Sequence, residues 1–215
     1  MNKNWLGFFG SDKYDIILYF SRFLLKLDKK VLVLDLSENK AVSYSIPNPE
    51  QLKEVDYRGV VFSTDLNSLD LEKEYDYILI DFGFNANNML LSDCEKVIYV
   101  TDQQVHHIEP LTVFCNSHTL EDSQKEFLIV KDCLSTKVKV EYIAKKLGKQ
   151  FGENEVFTMF FDETDYGNRL LAQHTYNFKF KGSSDVKAIC MALIEHENLS
   201  KKALNKAYKR AEGGK

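Results

Sequence analysis

Proline and glycine are scarce in this chain: 215 residues hold 3 Pro and 10 Gly. Three prolines exclude a proline-rich linker or recognition segment. The four cysteines, Cys94, Cys115, Cys133 and Cys190, form no CxxC pair and stand beside no paired histidines. That spacing excludes a zinc ribbon and a disulfide framework, and leaves four buried thiols as the expectation. His106 and His107 are adjacent, which on a helix points them apart, so a solvated role is expected and no metal site. No apolar run approaches the roughly 18 residues of a membrane span. The start, MNKNWLGFFGSDK, has too short an apolar stretch before Ser11 for a secretory signal, so the expected location is cytoplasmic. Basic excess is missing as well: the net charge is −4, and there is no strong nucleic-acid signal.

What the chain does have is apolar mass. Hydrophobic residues make up 44% and aromatics 13%, enough for one α/β core. Three stretches read as strands covered on both faces: Trp5 to Phe9, VLVLDL from Val31 to Leu36, and YILIDF from Tyr77 to Phe82. KVIYVTD from Lys96 to Asp102, EFLIVKD and EVFTMFFD add three more. Between the first two lies DIILYFSRFLLKLDKK, apolar at helical spacing with lysines at its C-terminal end. Further helices are expected at His107 to Ser117 with Pro110 in the first turn, at Val140 to Gly148, at Tyr166 to His174 and at Asp185 to Glu197. The segment Asn39 to Asp76 reads as a weakly structured connection with one short strand, GVVFS. Residues 1–198 are expected to form a single domain, and 199–215 a basic tail that frays. Alternating strands and helices give a doubly wound, mostly parallel sheet with helices on both faces, whose ligands bind at the carboxyl ends of the strands.

Those strand ends carry a resemblance. VLVLDLSE, DYILIDFG, VIYVTDQQ and, near the end, FDETDYGNRLLAQH follow in an order that resembles the MinD/ParA branch of the P-loop ATPases, over about residues 4 to 197. The resemblance implies that Asp35 and Asp81 match the family's two acidic positions, the switch or water-activating Asp and the Walker B Asp near magnesium. It also implies a deviant Walker A loop of the form KGGxGKT. Placing Lys13 on the P-loop lysine sets Phe8 at the signature lysine, Phe9 and Asp12 at two glycines, and Tyr14 at the magnesium-holding hydroxyl, so that Gly10 and Lys13 alone survive. Glycines serve there because backbone N–H groups must turn toward phosphates with no side chain in the way. Asp12 adds negative charge where a triphosphate would lie, and a Tyr hydroxyl stands a ring's length farther out than a Thr hydroxyl. Gly10, Lys13, Asp35 and Asp81 are therefore read as a vestigial nucleotide site.

The expectation that follows is a non-catalytic protein of this fold, with no cofactor, serving as a scaffold or localisation factor in a bacterial assembly. Atypical members of pilus and secretion clusters such as TadZ and CpaE are similar in having lost parts of Walker A; conjugation or partition machinery fits as well. The alternative is a switch that still binds ATP with magnesium through an unusual loop. Partners are expected to be proteins: a homodimer or a heterodimer with an active relative, with Phe8, Phe9 and Tyr14 supplying apolar contact. Lys13 is expected at a solvated helix start and Asp15 as a helix cap. Asn168 and Arg169 fall where the resemblance places the base of the nucleotide, and carry no assigned role. Phe157, Phe160 and Phe161 read as strand core rather than as a surface with Tyr166, Tyr176, Phe178 and Phe180; NFKFKGSS reads as a charge-protected edge strand. The tail, KKALNKAYKR, has a thin apolar face that suits at most weak contact with the inner face of a membrane.

Overall fold

VLVLD and YILID hold no side chain that prefers water before their aspartates, and such strands persist only when both faces are covered. In the computed structural model, which describes residues 4–48, 50–66, 75–85, 88–152, 154–176, 183–194 and 199–212, both lie at the centre of the sheet. The first half runs β1 (Asn4–Gly10), α1 (Tyr14–Leu25), β2 (Val31–Asp35), α2 (Ala41–Tyr44), β3 (Glu54–Tyr57), β4 (Val60–Ser63), β5 (Tyr77–Gly83) and α3 (Asn88–Leu91). It continues through β6 (Lys96–Thr101), α4 (Val105–Ser117), β7 (Lys125–Cys133), α5 (Val140–Lys146), β8 (Val156–Phe160), α6 (Glu163–Thr175), α7 (Ser184–Leu193) and α8 (Lys201–Glu212).

Among the described residues eight strands form one sheet, in the order β3-β4-β2-β5-β1-β6-β7-β8. β3 pairs antiparallel with β4; every other pairing is parallel. Six strands and GVVFS were expected, and β3 is the addition: EVDY alternates with charged side chains and so reads as loop. Its turn is the two residues Arg58 and Gly59, both at positive φ (56° and 85°), the backbone of a tight hairpin.

Leu6, Phe8, Val31, Val33, Leu79 and Ile98 face α1, α7 and α8, while Phe9, Leu32, Leu34, Ile80, Val97 and Tyr99 face α3, α4 and α5. From β1 the chain crosses to β2 on one side, and from β6 it crosses to β7 on the other. The neighbouring carboxyl ends of β1 and β6 are thus the topological switch point, where such sheets bind ligands.

Two helices differ from expectation. α4 begins at Val105, with the Asp102 carboxylate accepting from Gln104 N–H at 2.7 Å, so Pro110 sits in its second turn rather than its first. The tail does not fray over α8, which turns Ala207, Tyr208 and Ala211 inward, the Tyr208 ring 6.0 Å from that of Phe23 on α1. The four cysteines are free and buried, as expected. Within the described residues no helix is long and apolar enough to cross a membrane. Most of NFKFKGSS, Phe178 and Phe180 included, and the end of the helix expected to reach Glu197 lie outside the described residues.

Candidate functional site

Of the residues matched to a phosphate loop, Phe8, Phe9 and Gly10 lie in strand. β1 continues through Phe8 and Phe9 to Gly10, pairing Phe8 with Asp81 and Ile98, Phe9 with Gly83 and Tyr99, and Gly10 with Val100. Phe9 stacks between Phe82 and Phe114, at 4.7 and 4.2 Å between ring centroids. Phe8, Phe9 and Tyr14 are buried, which corrects the expectation that they form a dimer contact: each is part of the core of its own chain. Only Ser11, Asp12 and Lys13 separate β1 from α1.

Gly10 is fixed by the neighbouring strand. Its φ is +111°, and a Cβ there would lie 1.8 Å from the carbonyl oxygen of Val100, which accepts from Ser11 N–H at 3.2 Å. Gly10→Ala is expected to cost about 2–3 kcal/mol, through overpacking and a disfavoured backbone, read as a lower midpoint in urea.

Lys13 corrects a second expectation. It is 3% exposed rather than solvated, with Nζ 2.8 Å from Asp81 Oδ1 and donating to the Gly10 carbonyl at 2.6 Å. Asp81 also accepts from Gly83 N–H at 2.9 Å. Burial pushes the Asp81 carboxyl above the usual carboxylate range; Lys13 pulls it back in part, and the charge of Asp35 adds to the rise.

Asp35 stands opposite Asp81 in the register of β2 and β5. Its Oδ1 accepts from Ser37 N–H (3.2 Å) and Ser37 Oγ (2.5 Å), and its Oδ2 from Ser43 N–H (2.9 Å) and Ser43 Oγ (2.8 Å). Both oxygens thus hold the turn after β2 closed. Leu36 N–H donates to the Asp81 carbonyl at 2.8 Å, and Asn85 donates to Glu38, so the loops after β2 and β5 are tied together.

Asp15 accepts from Ile16 N–H at 2.9 Å in the first turn of α1, as a helix-start cap would, but it does more. It is fully buried and meets Lys131 Nζ at 2.7 Å and Arg169 Nη1 at 2.6 Å. Burial raises the Asp15 carboxyl, but the two cations outweigh it and hold it below the usual range. Lys131 also donates to the Asp12 carbonyl at 2.6 Å, and Arg169 Nη2 reaches Asp132 at 2.6 Å. The short loop, the end of β7 and α6 are thereby joined through one buried cluster of charge. Sequence reasoning missed Lys131 and Asp132, although a lysine closing the apolar run FLIVK was a signal of a buried charge.

The four residues expected to form a vestigial site therefore converge: Gly10 and Asp81 on Lys13, with Asp35 beside Asp81. Arg169 joins the Asp15 cluster, whereas Asn168 is exposed on α6. Asp102, at the end of β6, lies 2.9 Å from His107 Nδ1, so His107 is half-buried and paired rather than solvated. Among the described residues no group of His, Cys, Asp and Glu could hold a metal ion.

No family model matches the chain, and no curated protein matches it. Solved structures do. MinD from Aquifex aeolicus is 16% identical with a TM-score of 0.63, over 92% of this chain and 100% of that one. McdA from Cyanothece, in complex with ATP, is 8% identical with a TM-score of 0.62, over 93% and 99%. A ParA family ATPase from Chlorobium tepidum is 14% identical with a TM-score of 0.56, over 95% and 97%. At such identities the likeness is one of architecture, and this eight-stranded, mostly parallel sheet with its helices has the fold of the MinD and ParA P-loop ATPases.

Proposed function

We propose that the protein uses this ATPase fold without nucleotide, as a scaffold or localisation factor in a bacterial assembly such as pilus, secretion, conjugation or partition machinery. One observation carries the reading: the Lys13 ammonium is held by the Asp81 carboxylate and the Gly10 carbonyl, all buried. A magnesium triphosphate does not fit the loop as built. Phosphates need backbone N–H groups turned toward them, whereas Ser11 N–H is bonded to Val100 and the Asp12 carboxylate would face them with like charge. Tyr14, in place of a magnesium-holding hydroxyl, is buried with Lys131 Nζ 5.8 Å from its ring centre.

Structures of the same fold include a MinC:MinD complex and a ParA bound to nonspecific DNA. Protein partners suit this chain better, because its net charge is −4. Dimers with itself or with an active relative belong to this reading, through some surface other than Phe8, Phe9 and Tyr14.

A rival reading, an ATP-dependent switch, draws on the convergence of Gly10, Lys13, Asp35 and Asp81 at one place. Phosphate release from ATP decides between them. No release above the buffer rate is expected with magnesium present; turnover that needs magnesium and disappears in Asp81→Asn would sink the scaffold reading.

A further inference from the structure

Helix α6 is inside out. A helix covering a sheet normally turns leucines inward and arginine toward water. Here Arg169 and Ala172 are buried, while Tyr166, Gly167, Leu170 and Leu171 face outward, Leu171 being 60% exposed. The physical cause is the buried charge: Asp15 and Asp132 draw Arg169 inward, and the rotation that satisfies them carries the leucines out. Phe161 extends the outward row, its ring 5.7 Å from that of Tyr166. Phe160, the last residue of edge strand β8, is 68% exposed beside it, which corrects the expectation that both phenylalanines are strand core.

Gly167 is a second, independent observation. Glycine weakens a helix interior, yet among the described residues no atom lies within 4 Å of a Cβ at this position, so no described contact requires its absence. A bare position between Tyr166 and Leu171 on an exposed apolar face suits the close approach of another backbone.

Charge selects what approaches. Asp162 and Glu163 are exposed at the start of α6, with Asp165 and Asp132 behind them, while the neighbouring cations Lys131 and Arg169 are buried and already paired. Burial raises the Asp165 carboxyl, Arg169 opposes the rise, and Asp15, Asp162 and Asp132 add to it, as expected where carboxylates crowd.

We propose that the outward face of α6, from Phe161 to Leu171, docks a basic amphipathic helix of a partner protein. A second copy does not supply that helix: α8 is this chain's basic helix, and its apolar residues Ala207, Tyr208 and Ala211 are turned into its own core. The proposal rests on the scaffold reading only in requiring that the protein hold a partner.

The test uses two synthetic amphipathic helices, one of leucine and lysine and one of leucine and glutamate, titrated into the full chain at physiological salt and followed by fluorescence anisotropy. The leucine–lysine helix is expected to bind at least about tenfold more tightly than its acidic counterpart. Leu171→Ser and Gly167→Leu are each expected to weaken that binding about tenfold or more. Gly167→Leu should also leave the melting temperature unchanged or higher, because leucine is the better helix former and has room. Equal binding of both helices, or leucine–lysine binding that survives both substitutions, would overturn the proposal. So would a dimer in sedimentation that Leu171→Ser dissolves, since the face would then serve a second copy. A rise in melting temperature with nucleotide would instead count against the scaffold reading and leave these outcomes unchanged.

Discussion

Asp15→Ala is expected to lower the unfolding free energy by about 3–5 kcal/mol, because it leaves Lys131 and Arg169 buried and facing each other without the carboxylate between them. For a chain of this size that corresponds to a fall in melting temperature of roughly 6–20 °C. Replacing Asp15, Lys131 and Arg169 together by apolar residues of similar volume should restore most of the loss, since desolvation of a buried ion cluster offsets much of its attraction. Acid unfolding carries the same signature. The folded Asp15 carboxyl titrates below its unfolded value of about 3.9, so its contribution is present above that pH and is lost as pH falls through the folded value. Stability measured from neutral pH downward should fall steeply below about pH 4 in the wild type. That part of the slope should be missing from Asp15→Asn.

Lys13→Met is the second large effect, expected at about 3–5 kcal/mol with no ligand present. It strands the Asp81 carboxylate, 1% exposed, beside Asp35 with the Gly83 N–H still bonded to it. In a loop that holds phosphate the lysine reaches toward the ligand, and its removal from the ligand-free protein would cost little. The size of the loss therefore separates a closed loop from an open one. The pH dependence has the opposite sign to that of Asp15. Asp81 titrates above its unfolded value, so its contribution is present below about pH 4 and is lost as pH rises through the folded value. Without Lys13 that loss should deepen, and chemical denaturation followed upward from about pH 4 would display it. Adding Asp81→Leu to Lys13→Met should recover all but about 1 kcal/mol.

These two clusters mark where the sequence was legible and where it was not. Asp35 and Asp81 could be placed at strand ends because VLVLD and YILID are unbroken apolar runs, and burial on both faces leaves such runs no other place in an α/β sheet. The loop could not be read in the same way. Whether Phe8 to Gly10 form a cradle or a strand depends on pairing with Val100, nearly a hundred residues away in the chain, and alignment to a phosphate loop assumed the first. Lys13 looked solvated because helix starts usually are, and only the fold brings Asp81 to it. The same limit explains α6. Its sequence, with Leu170 and Leu171 beside Arg169, suggests leucines inward, and the reversal is imposed by Asp15, 154 positions earlier. The hairpin of β3 and β4 was missed for a local reason: the alternating charges of EVDYR hide a strand that its Arg58-Gly59 turn would have revealed.

The central claim, that the chain's own side chains occupy the place of the phosphates, is tested most directly by thermal unfolding with and without millimolar MgATP, MgADP and MgGTP. A ligand binding only the folded state at a hundredfold excess over Kd would add about 2.7 kcal/mol. No shift is expected with any of the three nucleotides. An upward shift that Lys13→Ala abolishes would contradict the claim, because it would require Lys13 to leave Asp81 and hold phosphate.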